Sequence, residues 1–200
     1  MKKLTFLLAV AVVALSLENA NASEAKCREI AQREYPNDSR MRQYVYNKQI
    51  GADRYMQTVK DAEVKGIALR EYPNDYAMQK YTYDKQLSAK RYMSTVKDKD
   101  VLQIALREYP NDYSMQKYTY DKQLSAKRYM STVADREIKA IALREYHADY
   151  SMQKYTYDKQ LSAKQYMNAQ GASGAKSQAQ REYPSDYSMQ KYTYDRILTR

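Results

Sequence analysis

The string REYPNDYSMQKYTYDKQLSAKRYM, from Arg107 to Met130, constrains this chain more than any bulk property does, because the chain writes it repeatedly. Arg33, Arg70, Arg107, Arg144 and Arg181 stand at equivalent places, so the period is 107 − 70 = 37 residues. Segments Arg70–Val96 and Arg107–Val133 differ at one position, Ala77 against Ser114. A fixed period in this range is the signature of a repeat architecture, whose units bury their apolar faces against their neighbours. The units run 33–69, 70–106, 107–143 and 144–180, with a partial unit at 181–200.

Within a unit the punctuation is Tyr-Pro-Asn-Asp, as at Tyr109–Asp112. Proline pushes the residue before it out of the helical region, so a helix ends near Tyr109. Asp112 then stands where an N-cap belongs, as do Asp38, Asp75, Asp149 and Asp186. Unit 144–180 has His147 and Ala148 in place of Pro and Asn but keeps the aspartate. The spacing predicts a long helix from Tyr113 to about Val133. At 100° per residue its main apolar face carries Met115, Tyr118, Thr119, Ala126, Tyr129, Met130 and Val133. Lys117, Asp121, Ser125 and Arg128 fall opposite. Tyr113, Tyr120 and Leu124 form a second, smaller patch. This projection places Tyr118 and Tyr129 in the core.

The stretch from about Lys99 to Tyr109 reads as a shorter helix, with Val101, Ile104, Ala105 and Leu106 apolar. Its equivalents are Val64, Ile67, Ala68 and Leu69 in one direction and Ile138, Ile141, Ala142 and Leu143 in the other. Between the two helices, Thr95-Val96-Lys97-Asp98 offers a capping box. Without a break there, the two would fuse into one helix of about 35 residues. The expected class is all-α, tandem helical hairpins forming a short α-solenoid, with a bundle of long antiparallel helices as the alternative. Gln170-Gly171-Ala172-Ser173-Gly174 replaces the joint in unit 144–180, which favours hairpins. The short helix that follows has Ala175, Gln178, Ala179 and Gln180 in its apolar slots, so residues 181–200 are expected to dock weakly.

The start of the chain has a different grammar. Lys2 and Lys3 precede the apolar run Leu4–Leu17, and Ala20-Asn21-Ala22 is an A-x-A cleavage site. That is the layout of a secretory signal peptide over 1–22, leaving a mature domain of 23–200. The run is shorter than the roughly 20 apolar residues of a membrane span, and nothing after Ser23 approaches one. The expected location is periplasmic or secreted, after cleavage near Ala22. The chain carries +10; removing Lys2, Lys3 and Glu18 leaves 10 − 2 + 1 = +9. That balance favours anionic partners, although basic residues alternate with Asp and Glu. The single cysteine, Cys27, excludes an internal disulfide framework and leaves a buried thiol or a dimer bridged through Cys27.

No catalytic, cofactor-binding or metal-binding residue is assigned. His147 is the only histidine and stands at a turn, so neither a nucleophilic triad nor a His/Cys ligand cluster can be assembled. Recurring carboxylates on Lys-rich helices read as surface partners. The informative excess is tyrosine, 23 residues against no tryptophan. Its apolar ring and polar tip suit half-wet interfaces. A Tyr–Lys ladder of Tyr76, Lys80 and Tyr83, then Tyr113, Lys117 and Tyr120, then Tyr150, Lys154 and Tyr157 is the candidate binding surface. The same ladder also fits the seam between units.

The pattern aromatic-Pro-x-Asp-Tyr-x-Met-x-x-Tyr resembles a short repeat motif of small uncharacterised bacterial secreted proteins. Tyr109, Pro110, Asp112, Tyr113, Met115, Tyr118, Gln123 and Ala126 occupy its places. The first aromatic there is more often Trp. The resemblance implies no activity, and the architecture is only analogous to tetratricopeptide and Sel1-like arrays. The expected role is a non-enzymatic protein–protein interaction module, its partner an unidentified envelope or extracellular protein. The alternative is Tyr/Lys-mediated binding of an anionic envelope polymer such as cell-wall glycan, lipopolysaccharide or nucleic acid. Self-association is a further expectation.

Overall fold

A unit folds as two helices because it places an aspartate, or Ser173 at the last short helix, at each helix start and an extended turn between them. The computed structural model describes residues 22–199, and among these it contains helices and turns but no strand. The predicted leader, apart from Ala22, lies outside the described residues. Residues 22–34 form α1. There follow α2 (Ser39–Thr58), α3 (Ala62–Glu71), α4 (Tyr76–Met93), α5 (Lys99–Glu108), α6 (Tyr113–Thr132), α7 (Arg136–Glu145), α8 (Tyr150–Ala169), α9 (Gly174–Glu182) and α10 (Tyr187–Leu198).

The joints after the long helices are real breaks, so the continuous-helix alternative does not hold and the chain is an all-α series of tandem hairpins. The cap differs from the expected capping box. Asp98 itself is the N-cap of α5, accepting from the Val101 amide at 3.2 Å. Asp61 and Asp135 do the same for Val64 and Ile138, each at 3.0 Å. A carboxylate here satisfies an orphan amide and meets the positive end of the helix dipole. The short helices end at Tyr72, Tyr109, Tyr146 and Tyr183, each returning its amide to the alanine carbonyl four residues back. His147 leaves that ending intact.

The chain divides into two compact units, one running through Tyr92 and including Asn111–Ser114, the other comprising Met93–Pro110 and Met115 onward. In the first, Met56, Val64, Ala68 and Tyr83 form a core against which Tyr55, Val59, Leu87 and Tyr113 pack. In the second, Met130, Ile138, Ala142 and Tyr157 repeat that arrangement. Each core joins the end of one long helix, the short helix after it and the middle of the next long helix. That is how stacked hairpins of an α-solenoid bury their faces.

Two expectations about the faces are corrected. Leu69, Leu106 and Leu143 are exposed, because the buried stripe of a ten-residue helix is filled by the other three apolar residues. On α6 the buried stripe is Gln116, Thr119, Tyr120, Gln123, Ala126 and Met130. Tyr118, expected in the core, is 60% exposed, one residue or about 100° away from buried Thr119.

Candidate binding surface

The tyrosines fall into distinct structural roles, and only one faces solvent. Tyr83, Tyr120 and Tyr157 are each 3% exposed. Their hydroxyls accept from the amides of Asp61 (3.3 Å), Asp98 (3.2 Å) and Asp135 (3.3 Å), the residues that cap the short helices. Their burial puts these three rings in the seam, the other place the ladder was expected to fit. A ring used to close the hairpin has no face left for a ligand.

Tyr55, Tyr129 and Tyr166 are partly covered and donate to Asp84, Asp158 and Asp195 at 2.5, 2.5 and 2.6 Å. The same carboxylates hold Lys80, Lys154 and Lys191 at 2.6, 2.5 and 2.6 Å. Those ammonium groups lie 4.4–4.5 Å from the ring centroids of the same tyrosines. Each site is a closed Tyr–Asp–Lys triangle. The hydrogen bond to the carboxylate, with burial, pushes the Tyr55 and Tyr129 hydroxyls up to about 12. Burial works against ionised Asp84 and Asp158, but the lysine and tyrosine partners hold both below the usual carboxylate range. Lys117 makes the equivalent pair with Asp121 at 2.6 Å. The charges of Lys80, Lys117 and Lys154 are therefore spent inside the array, which weakens their part in the predicted ladder.

Tyr76, Tyr113 and Tyr150 are half-buried. Tyr113 donates to Glu63 at 2.7 Å, and Lys90 lies 5.3 Å from its ring centroid. Lys90 also reaches Asp61 at 2.9 Å and Glu63 at 2.7 Å. Lys127 and Lys164 form the same clamp, on Asp98 and Asp100 and on Asp135 and Glu137. Glu63 and Glu137 are held below the usual range, first by the lysine and then by the tyrosine hydroxyl. Asp98 is held low first by Lys127, and Asp61 and Asp135 first by the capped amides.

A feature that sequence reasoning missed completes the seam. Gln49 donates to the cap Asp75 at 2.9 Å and accepts from the Ala77 amide at 3.0 Å. Gln86, Gln123 and Gln160 repeat this on Asp112, Asp149 and Asp186. Gln79, Gln116, Gln153 and Gln190 hold the turn carbonyls of Tyr72, Tyr109, Tyr146 and Tyr183 at 2.6–2.7 Å. A signal for them existed. Gln49 persists in the most divergent unit, where Asn47 and Ile50 stand in place of the Asp and Leu of the other units.

What remains outside is a line on each long helix. Tyr44, Tyr81, Tyr118, Tyr155 and Tyr192 are 59–62% exposed. Four residues on stand Lys48, Lys85, Lys122, Lys159 and Arg196, and seven on a small residue, Gly51, Ser88, Ser125, Ser162 or Thr199, all exposed. Offsets of four and seven keep these on one helix face. Asp84, Asp121, Asp158 and Asp195 of α4, α6, α8 and α10 keep 37–42% of their side-chain surface, but each is paired with a lysine of its own helix. The exposed acids on helices, such as Glu63, Asp100 and Glu137, are on the short ones. The surface is thus an aromatic and cationic ridge, repeated once per unit and missed by the sequence projection. An exposed ring offers a π-face for stacking, and an unneutralised lysine beside it offers a counter-charge.

Cys27 is fully buried, and burial, then the charges of Asp53 and Glu24, pushes its thiol up to about 11. A dimer bridged through Cys27 would require this buried thiol to be uncovered first. His147 is exposed at its turn. Among the described residues no group of three or more His, Cys, Asp or Glu is placed to hold a metal ion. No protein-family model, curated protein or solved structure matches the chain.

Proposed function

We propose that this is an exported, non-enzymatic repeat protein that binds an anionic polymer of the cell envelope through the ridges of its long helices. The observation that carries the reading is the segregation of charge: an exposed Tyr with an exposed Lys or Arg on every long helix, while Asp84, Asp121, Asp158 and Asp195 of those helices are each paired with a lysine. Lysines next to open aromatic rings engage a polymer of repeating negative charge by counterion release and stacking. One ridge per unit makes binding multivalent, so weak single contacts add up through effective concentration. Export rests on the leader-like layout of residues 1–22. No helix among the described residues is long and apolar enough to cross a membrane.

The test is a binding titration of the mature chain, Ser23–Arg200, against fluorescent lipopolysaccharide, a cell-wall polyphosphate and single-stranded DNA over a salt series. Affinity falls steeply with salt, and Lys85→Ala, Lys122→Ala and Lys159→Ala each reduce the log–log slope by about 1. Salt-independent binding, or none to any of the three, removes the reading.

A protein partner is the second reading, and one observation favours it. Leu69, Leu106 and Leu143 lie exposed at one register of the short helices, 36–41% accessible. Binding centred there survives high salt and is lost with Leu→Ala changes at those three positions.

A further inference from the structure

The lysine clamp is broken at one place, and the break has a direction. Lys90, Lys127 and Lys164 each reach back to carboxylates at the start of the preceding short helix. The residue one period before Lys90 is 90 − 37 = 53, an aspartate. Asp53 lies on α2 and is 9% exposed. It accepts from Ser23 Oγ at 2.5 Å and from Gln57 Nε2 at 2.9 Å, both neutral donors. Among the described residues no ion pair involves it. A buried carboxylate held only by neutral groups costs stability, and a nearby cation offsets that cost. The charge of the clamp is inverted here: of its two places at the start of α1, 61 − 37 = 24 holds Glu24 and 63 − 37 = 26 holds Lys26, whose ammonium group bonds Asn74 and not Asp53, so Asp53 still lacks a cation from the start of α1.

Ser23 is the residue that supplies one. Its side chain is on Asp53, and Tyr76, one period before Tyr113, hydrogen-bonds it. Lys90 lies against the Tyr113 ring in the equivalent place. Covalent geometry keeps the Ser23 nitrogen about 3–4 Å from its own Oγ, so it stands within the range of about 4–6 Å over which opposite charges act. In the uncut chain that nitrogen is an amide. Hydrolysis of the Ala22–Ser23 bond adds water, leaves a carboxylate on Ala22 and frees an amine on Ser23 that is protonated at neutral pH. An ammonium group at a helix start opposes the helix dipole, which makes a facing carboxylate necessary.

We propose that Asp53 is the receptor for the processed N-terminus: removal of the leader creates the Ser23 ammonium group that completes the first clamp. The proposal rests on the export reading for its cleavage site. The other groups around the pair are Glu24 and Cys27 from α1, Gln57 and exposed Arg54 from α2, and Tyr76 from α4.

The experiment compares mature Ser23–Arg200 carrying a free amine with the same chain Nα-acetylated, by thermal unfolding at pH 6.5 and pH 9.5. Acetylation lowers the melting temperature by about 2–4 °C at pH 6.5. The difference shrinks at pH 9.5, where the free amine has lost its proton and both chains start with an uncharged nitrogen. Asp53→Asn abolishes the difference. Asp53→Lys reverses it, because lysine now faces the ammonium group and acetylation relieves the repulsion. Equal sensitivity to acetylation in wild type, D53N and D53K overturns the proposal. N-terminal sequencing of the exported protein tests the cleavage site separately, so a wrong site and a wrong receptor give different results.

Discussion

Two neighbouring joints in the second unit share their polar contacts and differ in their apolar ones. At the α7–α8 joint, Met130, Ile138, Ala142 and Tyr157 are all buried. At the α9–α10 joint the buried set is Met167, Ala179 and Tyr194, with Ala175 where Ile138 would be. The register contacts nevertheless persist. Gln160 still holds Asp186, Tyr166 still meets Asp195 and Gln190 still holds the Tyr183 carbonyl. α10 packs on both α8 and α9. The last long helix is thus located by hydrogen bonds, whereas its short partner has lost most of its anchor. The polar ladder sets where a hairpin sits; the aliphatic pair on the short helix sets how firmly.

The largest expected effect separates core from ridge on one helix. Tyr157→Ala costs about 3–5 kcal/mol in denaturant unfolding, whereas Tyr155→Ala stays within about 0.5 kcal/mol. Equal losses would erase the distinction between seam and ridge. Next, Ile138→Ala costs about 2–4 kcal/mol, and Ala175→Gly in the last joint only about 1 kcal/mol, chiefly through helix propensity. Hydrogen exchange should show α9 opening well before α7; protection of equal depth would break the comparison. The ladder is tested by Gln123→Ala, which leaves the cap Asp149 and the Ser151 amide without that partner. It costs about 1–3 kcal/mol, and the loss is read as a lower midpoint at unchanged slope.

The smallest effects are in pH. Tyr129 has its folded value raised to about 12. Its contribution is fully present below its ordinary value near 10 and is lost as pH rises through about 12. Lys164 is raised in the same sense, so its clamp also fails at high pH. Asp135 is lowered, so its contribution is present above about pH 4 and lost as pH falls through its folded value. Circular dichroism between pH 10 and 12 should therefore show α7–α8 loosening. α9, capped by Ser173, has no such clamp, so its start keeps its cap where the Lys164 clamp fails. A single cooperative alkaline step involving both joints would contradict this.

Much of the fold was legible in the repeat. The helix bounds follow from the aspartate caps and the Tyr-Pro turn, and the short-helix core follows from Val101, Ile104 and Ala105. The side assignments on the long helices were less legible, for a physical reason. Tyrosine is apolar in projection but polar at its tip, so Tyr118 and Tyr120 score alike, although two residues apart they point about 160° from each other around the helix. Buried glutamines shift the true stripe further, since a projection counts them as surface. The ridge was hidden by the same error, because its tyrosines had been assigned to the core.

The glutamine joint has a consequence for how such a chain can change length. Gln86 binds Asp112, and Gln123 binds Asp149, each pair spanning 26 positions. Each of the units 70–106, 107–143 and 144–180 therefore carries both a plug for the next copy and a socket for the last. A stretch of 37 residues cut from Arg107 to Leu143 and inserted again meets neighbours already shaped to receive it. Gene segments this alike recombine out of register, and here each such slip yields another fitting unit. The number of ridges becomes a quantity that inheritance can adjust in whole steps.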